Sequence, residues 1–183
     1  QDPSGDSPYR NQTVSVSGVV TAAQTDYDLG YVYIQDTGVT EYAGLSLIGH
    51  PDLQTLYRNQ WVRVSGEIVE EFGFTQMIVD QVTVLGGASP IEPVSVNPSD
   101  SAAKADGEWE KYESMLVRYE NPQGGKIYIT NPNANFGDYA VATDDSYGDT
   151  KSSLVLAGRQ SSSSYSSLWV QLVTDSDYET TDG

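Results

Sequence analysis

The residues of this chain best suited to chemistry are its rings. Tyr31-Val32-Tyr33-Ile34-Gln35 alternates, so a strand there puts Tyr31, Tyr33 and Gln35 on one side and Val32 and Ile34 on the other. Tyr42, Phe72 and Phe74 follow at positions from which they could join that group, and Tyr27 precedes it. Flat, exposed rings stack nucleobases at about 1–3 kcal/mol each, and they stack sugar rings equally well. The plainer alternative is that each ring packs against another part of the chain. Arg63 is the one cation expected beside the group, with Arg58 further off.

The acids suggest other chemistry and mostly fail to deliver it. Asp26-x-Asp28, and Asp144-Asp145 with Asp149, offer oxygen ligands of the kind calcium takes. Neither matches a calcium-loop spacing, and solvated loops explain both, so no metal site and no cofactor other than calcium comes into consideration. Catalysis is not expected. The chain has no cysteine, which excludes thiol nucleophiles, disulfides and zinc–thiolate sites. Its single imidazole, His50, precedes Pro51 in a connector, and no G-x-S-x-G is present. Glu67, Glu70, Glu71 and Asp80 read as surface charges rather than as the carboxylate pair of a glycosidase.

The overall charge weighs against one class of partner. Twenty-six acids against nine bases give 183 residues a formal charge of −17 and a pI near 4.1. Nucleic-acid affinity comes largely from Lys and Arg neutralising phosphates, and both are scarce here. A surface this acidic and lysine-poor suits high salt, which screens self-repulsion, so a halophilic or marine source is expected. The lack of cysteine, abundant Ser, Thr and Tyr, and a first residue of Gln1 suggest a processed bacterial protein that is secreted or held at the cell surface. No stretch of 18 apolar residues occurs, so no membrane-spanning segment is expected.

The elements that would position the rings are strands. Val14-Ser15-Val16-Ser17 alternates, Gly18 interrupts as a bulge glycine would, and Val19-Val20-Thr21 resumes. A second strand spans 31–35 and a third spans 42–48, with Leu45 and Leu47 on one face. Residues 51–59 read as a short helix or an extended loop. Residues 61–69 form the clearest strand, Phe72-Gly73-Phe74 a turn, and 75–85 a fifth strand. Three strands, a connector, then two strands with Gly18 and Gly66 at bends is the order a five-stranded OB-fold barrel requires. The competing all-β architecture is a sandwich.

The expected organisation is an N-terminal extension (1–11), the barrel (12–98), a β-rich extension or second small β domain (99–174) and an acidic tail (175–183). In the third of these, Trp109-Glu110-Lys111-Tyr112 suggests a helical turn, and 115–119, 126–130, 139–143 and 168–173 suggest strands. Ser161 to Ser164 reads as a loop.

Several blocks resemble one family. Val16-x-Gly18-Val19-Val20-Thr21 with Gly30-Tyr31-Val32-Tyr33-Ile34-Gln35-Asp36 is similar to the opening of an OB-fold accessory module of large secreted bacterial nucleases. The run from Asn59 to Glu70 resembles that module's fourth strand, and Phe72-Gly73-Phe74-Thr75-Gln76-Met77 the start of its fifth. Trp109-Glu110-Lys111-Tyr112-Glu113-Ser114-Met115-Leu116-Val117-Arg118 resembles the W-E-x-Y-E-G-M-L-V-R signature that follows the barrel. Two departures stand out: the pattern's Gly-Asp is Asn59-Gln60 here, and its glycine is Ser114. The likeness covers about residues 12–145. It implies a non-catalytic module placed upstream of endonuclease/exonuclease/phosphatase-type domains, near surface-anchoring domains.

Together these readings predict an extracellular accessory binding module for single-stranded nucleic acid or another extracellular polymer. The alternatives are a structural or adhesive surface module and a carbohydrate-binding domain. The expected ligand face is that of strands two and three, carrying Tyr31, Tyr33, Gln35 and Tyr42, with Arg63, Phe72 and Phe74 beside it.

Overall fold

The computed structural model describes residues 6–24, 31–71, 73–97, 108–131, 139–142, 150–152, 164–165 and 168–171. Its first five strands are β1 (Thr13–Ala22), β2 (Val32–Gln35), β3 (Gly44–Ile48), β4 (Gln60–Glu71) and β5 (Phe74–Gly87). They close into a barrel in the order β1-β2-β3-β5-β4. β1 pairs with β4 antiparallel along seven residue pairs, and the parallel pairing of β3 with β5 completes the ring. The fold is thus an all-β, OB-fold-like barrel, not a sandwich.

The alternation read from sequence fills the barrel. Val20, Val32, Ile34, Leu47, Val62, Val64, Ile68, Met77 and Val79 form one buried cluster. Between β3 and β4 the chain makes a 3-10 turn, Pro51–Thr55, and Leu53 and Leu56 enter the same cluster and stop one end of the barrel. His50 caps that turn: its Nδ1 accepts a hydrogen bond from the Asp52 amide at 3.2 Å. The lone imidazole thus has a local structural use.

The two marker glycines differ in role. At Gly66 the β4–β5 register shifts, and a Cβ there would run into the Ile78 carbonyl. Gly18 is not a bulge. It pairs regularly with Val62, and the β1 irregularity falls between Val20 and Ala22. What Gly18 permits is closeness, since a Cβ would lie 3.1 Å from the Gln35 carbonyl oxygen and 3.2 Å from the Ile34 Cβ.

Beyond the barrel, β6 (Val94–Val96) lies among the prolines expected to break structure. It pairs in parallel with β7 (Leu116–Tyr119), which also pairs with β12 (Leu168–Gln171). A strand from the 12–98 segment therefore belongs to a sheet completed by later residues. β8 (Ile127–Asn131), β9 (Tyr139–Ala142), β10 (Thr150–Ser152) and β11 (Ser164–Tyr165) form a four-stranded sheet in the order β10-β9-β8-β11. β11 begins at Ser164, within the serine run read as loop. A second 3-10 turn, Glu108–Tyr112, stands just before β7. No helix among the described residues is long and apolar enough to cross a membrane.

Asn59 and Ser114 share a backbone property. Asn59 has φ 65° and Ser114 has φ 57°, both left-handed. Glycine suits such positions, whereas other L-residues incur about 1–2 kcal/mol. Ser114→Gly removes that strain but adds freedom to the unfolded chain, worth roughly 0.5–1 kcal/mol. We expect a net gain of up to about 1 kcal/mol in urea unfolding. Gly66→Ala should lose about 1–3 kcal/mol, because neither strand backbone can retreat.

Candidate functional site

The outer face of β2, β3 and β5 is the natural place for a ligand, and the chain covers it with itself. Register places Tyr33 opposite Ser46 and Ser46 opposite Gln76, making one outward row; Val19, Gln35 and Gly44 make the next. Every residue of β2 is buried. The cover is the segment 110–116. Its Leu116 amide donates to Gln35 Oε1 at 2.8 Å. Its Lys111 carbonyl accepts from the Tyr42 amide at 2.6 Å. Its backbone crosses Gly44 so closely that a Cβ there would overlap the Ser114 carbonyl and crowd the Glu113 oxygen.

This arrangement revises the expected ligand face. Tyr33 and Gln35 do point away from Val32 and Ile34, but they are 1% and 2% exposed and meet the cover rather than solvent. Tyr31 remains accessible at the edge. It meets Tyr33 edge-on at 6.3 Å and Phe74 at 6.2 Å. Tyr42 is exposed but precedes β3, in a left-handed backbone conformation. Arg63 does not belong to the group. It lies on β4, whose neighbours are β1 and β5, and its Nε reaches Ser17 Oγ at 3.5 Å. Arg58 is committed elsewhere, its Nε donating to the Thr21 carbonyl at 2.7 Å. Phe72, Tyr27, Asp26, Asp28, Asp144, Asp145 and Asp149 lie outside the described residues. Among the described residues, no group of three or more His, Asp or Glu is placed to hold a metal.

The cover brings with it a cluster of carboxylates. Glu113 is 6% exposed, and both its oxygens face the Thr75 amide, at 3.2 and 3.3 Å. Glu110, also 6% exposed, sits one 3-10 turn earlier on the same side. Glu70 is half-buried rather than a surface charge. Its Oε1 accepts from Thr75 Oγ1 at 2.9 Å and from the Ser7 amide at 2.8 Å. Glu67, Glu71 and Asp80 are exposed, as expected. Burial pushes the Glu113 carboxyl up to about 9; Glu110 and Glu70 add to the rise, and the Thr75 amide opposes it. At neutral pH Glu113 is therefore a neutral acid held against Thr75. Burial, then the neighbouring Tyr31 and Glu113, raise the Tyr33 phenol as well.

The sequence held a signal for this cluster. Glu110 and Glu113 are three apart, the spacing that aligns side chains on a 3-10 turn. What no local pattern states is that the turn lands on β2 and β3. No family model matches the chain, and none of the curated proteins compared with it does.

The buried acid predicts a pH dependence. Unfolded Glu113 ionises near its ordinary value of 4.5, while the folded protein keeps the proton to about 9. Between these values the native state binds more protons, so stability falls as pH rises. Glu113→Gln preserves an acceptor for Thr75 and removes that slope. Its thermal midpoint should equal the parent's near pH 4.5 and exceed it by several degrees at pH 8.

Proposed function

We propose that this chain is a non-catalytic accessory module of a secreted or cell-surface protein, whose barrel orients neighbouring domains rather than reading nucleic acid. One observation carries this reading: residues 110–116 occupy the outer face of β2 and β3 and bury Tyr33 and Gln35 beneath them. An OB barrel that reads single strands needs that face open and lined with cations. Here the cover adds carboxylates, and Arg58 and Arg63 point elsewhere. The formal charge of −17 works in the same direction. The likeness to nuclease accessory modules supports the role of a spacer within a larger enzyme.

A second reading, capture of an extracellular polymer, draws on the one part of the face still open. Tyr31 is 37% exposed and stands against half-buried Phe74, an aromatic edge that a sugar ring or a base could meet. Sugar recognition needs no phosphate neutralisation, so it tolerates this charge better than nucleic acid does.

Fluorescence titration separates the readings. Single-stranded oligonucleotide should give no saturable change at 150 mM salt, with or without magnesium or calcium, and a panel of soluble polysaccharides should give none either. Micromolar binding that weakens with salt and is lost in Tyr31→Ala would establish nucleic-acid binding instead. Salt-insensitive glycan binding lost in the same variant would establish the carbohydrate reading.

A further inference from the structure

The barrel has two ends, and only one is stopped by Leu53 and Leu56. The opposite end, where β1 and β3 begin and β2 and β4 finish, opens into a cavity of about 370 Å³. Its floor is apolar: Val14, Val16, Ile34, Leu45 and Ile68. Among the described residues, its rim comes from three separate pieces of chain. The N-terminal segment supplies Tyr9, the β2–β3 connection supplies Asp36 and Tyr42, and the 3-10 turn before β7 with the residue after it supplies Glu110 and Glu113.

The rim has one sign. Among the described lining residues there is no Lys, Arg or His. The nearest bases in sequence are engaged, Arg10 with Asp6 at 2.5 Å and Lys111 with Glu41 at 3.3 Å. Tyr9 and Tyr42 line the opening and are 56% and 61% exposed. A volume in the ordinary range of ligand cavities, an apolar floor, carboxylates and exposed aromatic rings together select for charge and shape at once. An anion is repelled. A hydrated metal ion gains nothing from the floor. A cation whose charge is spread over alkyl groups suits both the rings and the floor.

We propose that this cavity binds a small organic cation of the quaternary ammonium class, its apolar body on the barrel floor and its charge between Asp36, Glu110 and the rim tyrosines. The cover segment supplies two of the rim acids, but the site does not rest on the scaffold role, so either reading can fail without the other. Binding also has a proton signature. Glu113 faces Glu110 from its own turn, Glu70 from β4, Tyr33 from β2 and the Thr75 amide from β5. A cation set beside these acids favours ionisation of Glu113, so binding should release a proton near neutral pH.

The full chain should be titrated with benzyltrimethylammonium by calorimetry and by amide chemical shifts. Benzyl alcohol, phenylacetate and tetramethylammonium are the comparators. The ring-bearing cation should bind at least tenfold more tightly than benzyl alcohol or tetramethylammonium, and phenylacetate should not bind. Shifts should centre on residues 14–16, 34–36 and 42–45, and the apparent enthalpy should vary with buffer ionisation heat. Asp36→Asn should weaken binding several-fold, and Ala43→Phe, which fills the cavity, should abolish it. Equal binding of benzyl alcohol would overturn the proposal by removing the role of charge. Equal binding of tetramethylammonium would overturn it by reducing the effect to surface charge. These two comparisons use the unaltered protein, so they decide the matter even if a variant fails to fold.

Discussion

Gly44 is where the two halves of the molecule become one. Because it has no side chain, the backbone of Glu113 and Ser114 can lie directly on β3. The amide of Leu116 then reaches Gln35, and the amide of Tyr42 reaches the Lys111 carbonyl. Any larger residue at 44 would lift the segment and separate these bonds together. Each is worth only about 0.5–1.5 kcal/mol by itself. Their effect comes from shared geometry, since one close approach lets all of them form.

The same approach explains the unusual electrostatics. A barrel surface exposed to water would leave Glu113 an ordinary carboxylate. Pressed onto the barrel, it loses solvent and gains two acidic neighbours, with the Thr75 amide as its compensating donor. The protein answers the burial by keeping the carboxyl protonated, which is the usual outcome when a charge is taken out of water without a cationic partner. Charge repulsion that a strongly acidic chain must manage is thereby removed at one point where it would be most costly.

The barrel was legible because its signals are local. Val14 and Val16, Val32 and Ile34, and Leu45 and Leu47 report the pleat through simple alternation. Gly66 marked a bend, whereas residues 51–59 read only as a short helix or an extended loop, and nothing local showed that Leu53 and Leu56 would stop the barrel. Gly18 misled on a detail, because a glycine in a strand can signal either a bulge or a close neighbour, and here the neighbour was β2. The ligand face was the harder part. The parity of Tyr31, Tyr33 and Gln35 was readable, but their accessibility depended on residues about 80 positions later. Arg63 failed for a related reason: nearness in an OB barrel follows the strand order around the ring, which sets β4 apart from β2 and β3.

The distance along the chain between Gln35 and Leu116 bears on how the molecule is made. Their bond spans 81 residues. During synthesis, at roughly 5–20 residues per second, the barrel strands are complete by Gly87, well before Leu116 exists. For roughly one to six seconds at that rate, the nascent barrel must present Tyr33, Gln35 and the rest of that face bare. Late-arriving contacts of this kind are where a growing chain meets the wrong partner, and Gln35, Ser46 and Gln76 on the bare face make such a meeting less adhesive than an apolar face would.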